Sequence, residues 1–304
     1  VRLGIPGTLA EKQPVAPGAC RSWRIKETTS MHLAFSTNAF KQVSLEESLR
    51  DIAACGYAGA EIMADVPHAY PPHMDARRRE AVRGLLADLR LAVTNLNAFT
   101  LFAQGDTWHP SWIEPDASAR ARRIEHTVAC VELARDLGAP GISLEPGGPL
   151  PDGMDREEAV RLYREGLEQV LPTAEACGVD LLIEPEPDLL IERPDEFEKF
   201  VLTLPHERIG LNFDIGHFYC VGVDPAEAVR RLGEHIRHVH LEDIAASREH
   251  KHLVPGRGAV DLEGTLAALR DVGYDGWVTV ELYPYEAQAR GVAEEAFAYL
   301  EPWF

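Results

Sequence analysis

No unbroken apolar stretch reaches the ~18 residues that a membrane-crossing helix needs, so no membrane partner is expected. Positive charge is scarce as well. Thirty Lys+Arg stand against 49 Asp+Glu, a formal net charge of −19. A phosphate backbone rewards Lys and Arg, so a nucleic-acid partner is not expected either. Cysteine is thin: the five thiols Cys20, Cys55, Cys130, Cys177 and Cys220 are scattered and form no CxxC pair. That pattern reads as buried small hydrophobes in a reducing compartment, and the expected location is the cytoplasm. No GxGxxG fingerprint occurs, which speaks against an open dinucleotide-binding sheet, and no phosphate-cradling P-loop is present. What remains is an ordinary apolar fraction of 45%, enough for a substantial core.

Residues 1–30 differ from the rest. Pro and Gly recur through them without a sustained period, and they lack the apolar core of a secretory signal. They read as a flexible N-terminal extension. The strand-like run His32-Leu33-Ala34-Phe35-Ser36 follows at once, so a single domain is placed over 31–304.

From there strand and helix patterns alternate. Strands are predicted at 32–36, 58–63, 91–97, 141–145, 179–184, 208–214, 236–241 and 276–282. Helices are predicted at about 45–55, 75–90, 117–137, 155–176, 194–203, 224–234, 261–272 and 288–300. Gly56, Gly138, Gly178 and Gly273 each follow a helix and suit a left-handed C-cap. Eight βα units imply an α/β fold with a closed parallel sheet, a (β/α)8 TIM barrel. The long irregular segments 64–74, 98–115, 146–154 and 242–260 follow strands, which puts them at the C-terminal mouth where barrel active sites sit.

The strand ends carry five acids, an amide and an imidazole: Glu61, Asn97, Glu145, Glu184, Asp214, His240 and Glu281. Burying so many carboxylates at one end of a barrel is costly without a cation among them. Few Lys or Arg are available there, so a divalent metal is the simplest counter-charge. Glu184, Asp214, His240 and Glu281 come from four consecutive strands and would converge. Three carboxylates and one imidazole make a hard donor set, favouring Mn²⁺, then Mg²⁺, Co²⁺ or Zn²⁺. The plainer alternative is a set of solvated strand-end acids.

The segments LLIEPEP (181–187), LNFDIGH (211–217), RHVHLED (237–243), HLVPGRGAVD (252–261) and WVTVELYP (277–284) resemble the xylose isomerase-like barrel superfamily, and within it the sugar phosphate isomerase/epimerase branch. The resemblance implies one metal held by Glu184, Asp214, His240 and Glu281, with Glu184 and Glu281 as acid/base catalysts on the two faces of the substrate. It also implies a substrate contact at His217. The superfamily's three-zinc endonucleases carry imidazoles where this chain has Asn97 and Glu145, which argues against that branch.

Other candidates are open to two readings. His252 reads as a substrate contact, a second-metal ligand or a solvated loop residue. Arg257, between two glycines, reads as an anion contact or a surface residue. Glu145 could orient a substrate hydroxyl or bind loop amides. Glu186 reads as a loop acid, because Pro185 and Pro187 interrupt the strand, and His238 as a satisfied core residue. Phe99, Phe102, Trp108 and Trp112 are too apolar for a free loop; they would form an aromatic lid over a polyol ring or a homodimer contact. His68, Tyr70 and His73 could join that rim. The expected activity is enediolate-type proton transfer by a metal-dependent isomerase or epimerase on a sugar, sugar phosphate or cyclitol. A lyase or hydrolase on the same site, or a barrel that binds without turnover, are the alternatives.

Because the first thirty residues show no pattern able to bury a core, their removal is expected to leave the melting temperature within a few degrees of the full chain. A larger fall in a thermal melt would show that they pack against the barrel.

Overall fold

The computed structural model describes Val1 and residues 31–304; the expected extension lies, apart from Val1, outside the described residues. Eight strands close into one parallel barrel in chain order. They are β1 His32–Ser36, β2 Gly59–Met63, β3 Ala92–Asn97, β4 Gly141–Leu144, β5 Asp180–Ile183, β6 Ile209–Asp214, β7 Ile236–Leu241 and β8 Trp277–Val280. Closure comes from β1, which pairs with both β2 and β8. The expected (β/α)8 TIM barrel is thus the observed fold.

The outer layer holds α1 Leu45–Ala54, α2 Ala76–Leu89, α3 Ala117–Leu137, α4 Arg156–Cys177, α5 Pro194–Thr203, α6 Ile215–Cys220, α7 Pro225–Leu232, α8 Leu262–Asp271 and α9 Ala289–Leu300. Most begin at a short polar side chain that accepts from a first-turn amide: Ser44, Asp75, Asp116, Asp155, Asp224 and Asp261. Gly138 and Gly178 close α3 and α4 with φ of +83° and +70°, the left-handed conformation that a Cβ disfavours. Among the described residues, no helix is long and apolar enough to cross a membrane.

Two departures from the periodic pattern matter for the site. The short helix α6 was not anticipated, because Ile215–Cys220 continues the apolar run of β6 without a break. Asp214 both ends β6 and caps α6, accepting from the His217 amide at 2.7 Å. The second departure is a pair of register shifts, at Ala60/Glu61 against β3 and at Leu211/Asn212 against β7. Such irregularities re-aim side chains along a strand. Here Glu61 and Asn212 both end up in the fully buried barrel interior.

The C-terminal loops are anchored from beneath by buried charge. Asp243, just after β7, accepts from the amides of Ile244, Gly256, Gly258 and Val260 at 2.7 to 3.1 Å. One carboxylate therefore gathers both ends of the 242–260 loop. Charge-assisted bonds to backbone amides are roughly twice as strong as neutral ones, so the loop is held firmly.

Candidate functional site

The strand ends converge on a buried cluster. Glu61, Glu184, Asp214, His240 and Glu281 are each at most 5% exposed, which excludes the reading of them as solvated acids. His240 is central. Its Nδ1 lies 2.9 Å from Glu184 Oε1, 3.9 Å from Asp214 Oδ2 and 3.8 Å from Glu281 Oε1. Its other nitrogen, Nε2, meets Glu61 Oε2 at 2.7 Å.

Amide side chains fix the carboxylates. Asn38 and Asn97 donate to Glu281 Oε1 at 2.7 and 3.2 Å, and Asn95 donates to Glu61 Oε2 at 2.8 Å. Glu184 Oε2 and Asp214 Oδ2 are left with no partner. One ligand atom each from Glu184, Asp214, His240 and Glu281 can be chosen so that all lie within 4.8 Å of one another.

The electrostatics follow from crowding. Burial alone would lower the His240 pKa, but Glu61, Glu184 and Glu281 around it raise it well above the usual imidazole range. Burial raises Glu281, and Glu184, Glu61 and Asp214 reinforce that against the pull of His240. Glu184 shifts upward too, chiefly through burial. Glu61 is the exception: burial would raise it, yet His240 and His238 hold it well below the usual carboxylate range. In this state the cluster keeps protons at positions where a divalent cation would take over the charge.

Above the cluster opens a cavity of about 510 Å³. Glu184 and Glu281 line it, whereas Asp214 and His240 lie behind them. The two glutamates are therefore the members of the set that face whatever enters. His217 also lines the cavity. Its Nδ1 lies 3.0 Å from the Pro185 carbonyl; a carbonyl only accepts, so Nδ1 carries the proton and Nε2 remains an acceptor.

Phe99, Phe102 and Trp108 form an aromatic wall of the cavity. Trp112, from the same loop, does not join them. It is 1% exposed and packs edge-on against Tyr163 with ring centres 5.5 Å apart. The rim expectation also changes for His68, which is buried against the Phe40 carbonyl, and for Tyr70, which stacks on His126. Neither these two nor His73 lines the cavity.

Three other candidates sit elsewhere. Glu145 follows β4 but turns away from the cavity into the layer of α3, where Arg123 Nη2 lies 3.5 Å from it. Burial pushes its carboxyl up to about 8. Arg257 is half exposed and forms a two-pronged pair with Glu295 of α9 at 2.7 and 2.6 Å, so it is a surface residue. His252 is fully buried rather than solvated, and it does not line the cavity. Its Nδ1 donates to the Glu281 carbonyl at 2.9 Å, and the ring packs under Tyr283.

Sequence reasoning missed several cavity residues. Glu186, read as a loop acid, lines the cavity and is 7% exposed. Asn38, Lys41, His250 and Tyr283 also line it. Lys41 pairs with Glu286 at 2.7 Å. The available signal for Asn38 was its place just past β1, where every other strand end carried a polar group.

The aromatic wall is held from inside by two buried charges. Asp65 accepts from Thr100 Oγ1 and Ala103 N at 3.1 Å each, and from Phe102 N. Arg123 donates to the carbonyls of Phe99 at 2.8 Å and Pro110 at 2.7 Å. These contacts tie down both ends of the segment that carries Phe99, Phe102 and Trp108.

A family model described as xylose isomerase-like TIM barrel matches residues 49–303. Among curated relatives, fructoselysine 3-epimerase of Shigella flexneri is 23% identical over 256 residues, covering 83% of this chain and 90% of the relative. Inosose dehydratase of Lacticaseibacillus casei is 29% identical over 277 residues, covering 82% and 85%. Among solved structures, a D-tagatose 3-epimerase-like protein superposes with a TM-score of 0.73 at 20% identity, covering 90% of this chain and 99% of that one. An IolI protein with a bound zinc atom gives a TM-score of 0.74 at 20% identity, with coverage of 90% and 99%.

Replacing Asp65 with Ala orphans the amides of Phe102 and Ala103. The expected cost is about 3 kcal/mol of stability, the scale of losing hydrogen bonds to a buried charge. Hydrogen exchange of the amides over 99–104 should accelerate more than that of the strands. Uniform acceleration, or none, would mean that Asp65 does not hold the wall.

Proposed function

The chain belongs to the xylose isomerase-like TIM barrel family, and from that premise we propose that it is a divalent-metal-dependent isomerase or epimerase of a sugar or cyclitol. The observation that carries the reading is the convergence of Glu184, Asp214, His240 and Glu281, buried and partly unpartnered, at the floor of the cavity. Relatives named as a sugar epimerase and a cyclitol dehydratase support an enzyme of this type.

The donor set fits a metal. Asp214 Oδ2 and Glu184 Oε2 are buried oxygens without partners, a costly arrangement unless a cation or proton meets them. Glu184, Asp214, His240 and Glu281 would hold the ion, His240 through Nδ1. Mn²⁺ is the first choice by donor hardness, with Mg²⁺, Co²⁺ and Zn²⁺ behind it. When bound, the metal supplies Lewis-acid stabilisation to negative charge developing on a carbonyl oxygen.

The chain's own residues do the rest. Glu281 has its Oε1 pinned by Asn38 and Asn97, so its orientation is set before substrate arrives. Glu184 enters the cavity floor from β5, three strands away from β8 in the barrel order. Two carboxylates reaching a substrate from different sides can remove a proton on one face and return one on the other, which epimerisation requires. His217 presents an acceptor nitrogen to a substrate hydroxyl. Phe99, Phe102 and Trp108 offer apolar surface to the C–H face of a ring and keep water away. Glu61 accepts from His240 Nε2, which orients the ring so that Nδ1, 2.9 Å from Glu184 Oε1, faces the other ligands and would ligate on giving up its proton.

Loss of water from the substrate is a second reading, favoured by the inosose dehydratase relatives. It needs one base and one acid where epimerisation needs a competent group on each face. Incubating the Mn²⁺-loaded enzyme in deuterium oxide with ketoses and inososes separates the two. Deuterium gained at carbon with no change of formula marks epimerisation or isomerisation, and a product lighter by one water marks the dehydratase. No exchange and no product with any metal would remove both.

Glu281→Gln keeps the donor oxygen and the volume but not the basic carboxylate. Turnover is expected to fall by roughly 10²-fold or more, while metal stays bound, more weakly, and polyol binding persists. Turnover equal to wild type with metal still bound would remove Glu281 from the chemistry. Glu61→Gln is expected to weaken metal binding by ~10–100-fold, the scale for losing an imidazole's orienting partner. Calorimetric titration of the metal-free protein reads this directly, and unchanged affinity would show that Glu61 does not orient His240.

A further inference from the structure

The charges around the cavity do not balance. Lys41 is the one Lys or Arg among the described residues that line it, and its ammonium is already taken by Glu286 at 2.7 Å. Four acids line the same space: Glu184, Glu186, Asp188 and Glu281. Glu184 and Glu281 belong to the metal set. Glu186 and Asp188 do not, and they are left without a counter-charge.

Glu186 is the more confined of the two. It is 7% exposed and lines the cavity. Its nearest basic atom is His250 Nδ1 at 3.9 Å, too far for a hydrogen bond. The His250 ring itself packs edge-on against His217, with centres 4.6 Å apart. A carboxylate this buried is costly unless a charged donor meets it.

The backbone keeps both acids in place. Glu186 N donates to the Ile191 carbonyl at 3.1 Å, and Leu189 N donates to the Glu186 carbonyl at 3.2 Å. Leu190 N donates to the Gly148 carbonyl at 3.0 Å, which ties this turn to the loop after β4. Asp188 is exposed on the same turn at a φ of +68°, and its amide donates to Glu192 Oε2 at 3.1 Å. A turn fastened at these points does not carry Glu186 out to solvent.

The remaining wall suits a cation better than an anion. Phe99, Phe102, Trp108 and Tyr283 line the cavity, and aromatic faces attract positive charge. Lys41 Nζ already lies 5.6 Å from the centre of the Phe102 ring. A phosphate would find no arginine there and no lysine free of an acid. The net charge of −19 draws cations to the protein and repels anions. A volume of about 510 Å³ has room for a substituent beyond a single ring.

We propose that Glu186 and Asp188 form a subsite for an ammonium group, so that the preferred substrate is a polyol carrying an amine rather than a phosphate or a carboxylate. The proposal rests on the polyol reading of the cavity given above. The ammonium donates to Glu186, and Asp188 adds its charge from the exposed side of the turn. The proton transfer stays with Glu184 and Glu281. Glu186 is a specificity residue that selects which polyol stays over them.

The test is calorimetric titration of the Mn²⁺-loaded full chain with probes that share one carbon skeleton. The first set is D-fructose, 1-amino-1-deoxy-D-fructose and D-fructose 1-phosphate. The second is myo-inositol, an aminodeoxy-inositol and myo-inositol 1-phosphate. In at least one set the amine is expected to bind ~10-fold or more tightly than its neutral parent, the scale of one charge-assisted hydrogen bond. The phosphate is expected to bind more weakly than the parent, and added salt should narrow the amine's advantage. Glu186→Gln should bring the amine down to the level of the parent. Asp188→Asn should lower the same ratio in part, and its exposed position guards against a Glu186 variant that fails to fold. Equal affinity for amine and parent in wild type overturns the subsite and assigns Glu186 a proton instead, while the metal and polyol readings stand. An amine advantage that survives both variants overturns the subsite as well. If no probe of either set binds, the polyol reading fails and the subsite with it.

Discussion

Everything at the mouth of this barrel depends on one constraint: acidic side chains buried together around a single imidazole. His240 touches Glu61 through one ring nitrogen and Glu184 through the other. An imidazole in water would not be held this way. Burial strips its solvent and the acids then decide its charge. The same crowding raises Glu184 and Glu281 while Glu61 stays low, so the proton inventory is uneven across a few ångströms. Neighbouring titratable groups with opposed shifts are what acid and base chemistry requires of a site.

Such a cluster stays in place only if the surrounding chain cannot relax around it. Three buried ionic residues supply that rigidity, each spending its charge on loop backbone. Asp243 gathers the 242–260 loop, Asp65 holds the turn at 100–103, and Arg123 binds the carbonyls of Phe99 and Pro110. None of the three lines the cavity. They keep the loops still so that the cluster is not flooded or pulled apart. Fixed loops on a fixed sheet are also why the glutamates can be aimed without a ligand present.

Much of this was legible in the sequence, and the limits have physical causes. The eight βα units could be read because helix caps and strand runs are local signals. Gly138 and Gly178 sit where the left-handed cap demands them. The convergence of Glu184, Asp214, His240 and Glu281 was readable because all lie at strand ends in consecutive units. Position at a strand end does not fix which face a side chain takes. Glu145 fills the same kind of position and points outward to Arg123. Trp108 and Trp112 share a loop with no period, so nothing local told cavity wall from core. Arg257 looked like an anion contact between its glycines, but its partner Glu295 lies 38 residues away on α9.

Glu61 shows where local reading ends. It was recognised as a strand-end acid, yet its tie to His240 spans 179 residues and crosses the barrel from β2 to β7. Only closure of the sheet creates that contact, and a register shift against β3 lies beside Glu61. Glu242, close to Asp214 and His252, is a second case. In the chain it is one acid in a charged turn. In the fold it is a buried charge against a helix backbone, with two unpartnered groups facing it. A sequence states which groups can carry charge. The fold decides which of those charges are left without an answer, and in this barrel Asp214 and Glu242 keep unpartnered oxygens although neither lines the cavity that Glu184 and Glu281 face.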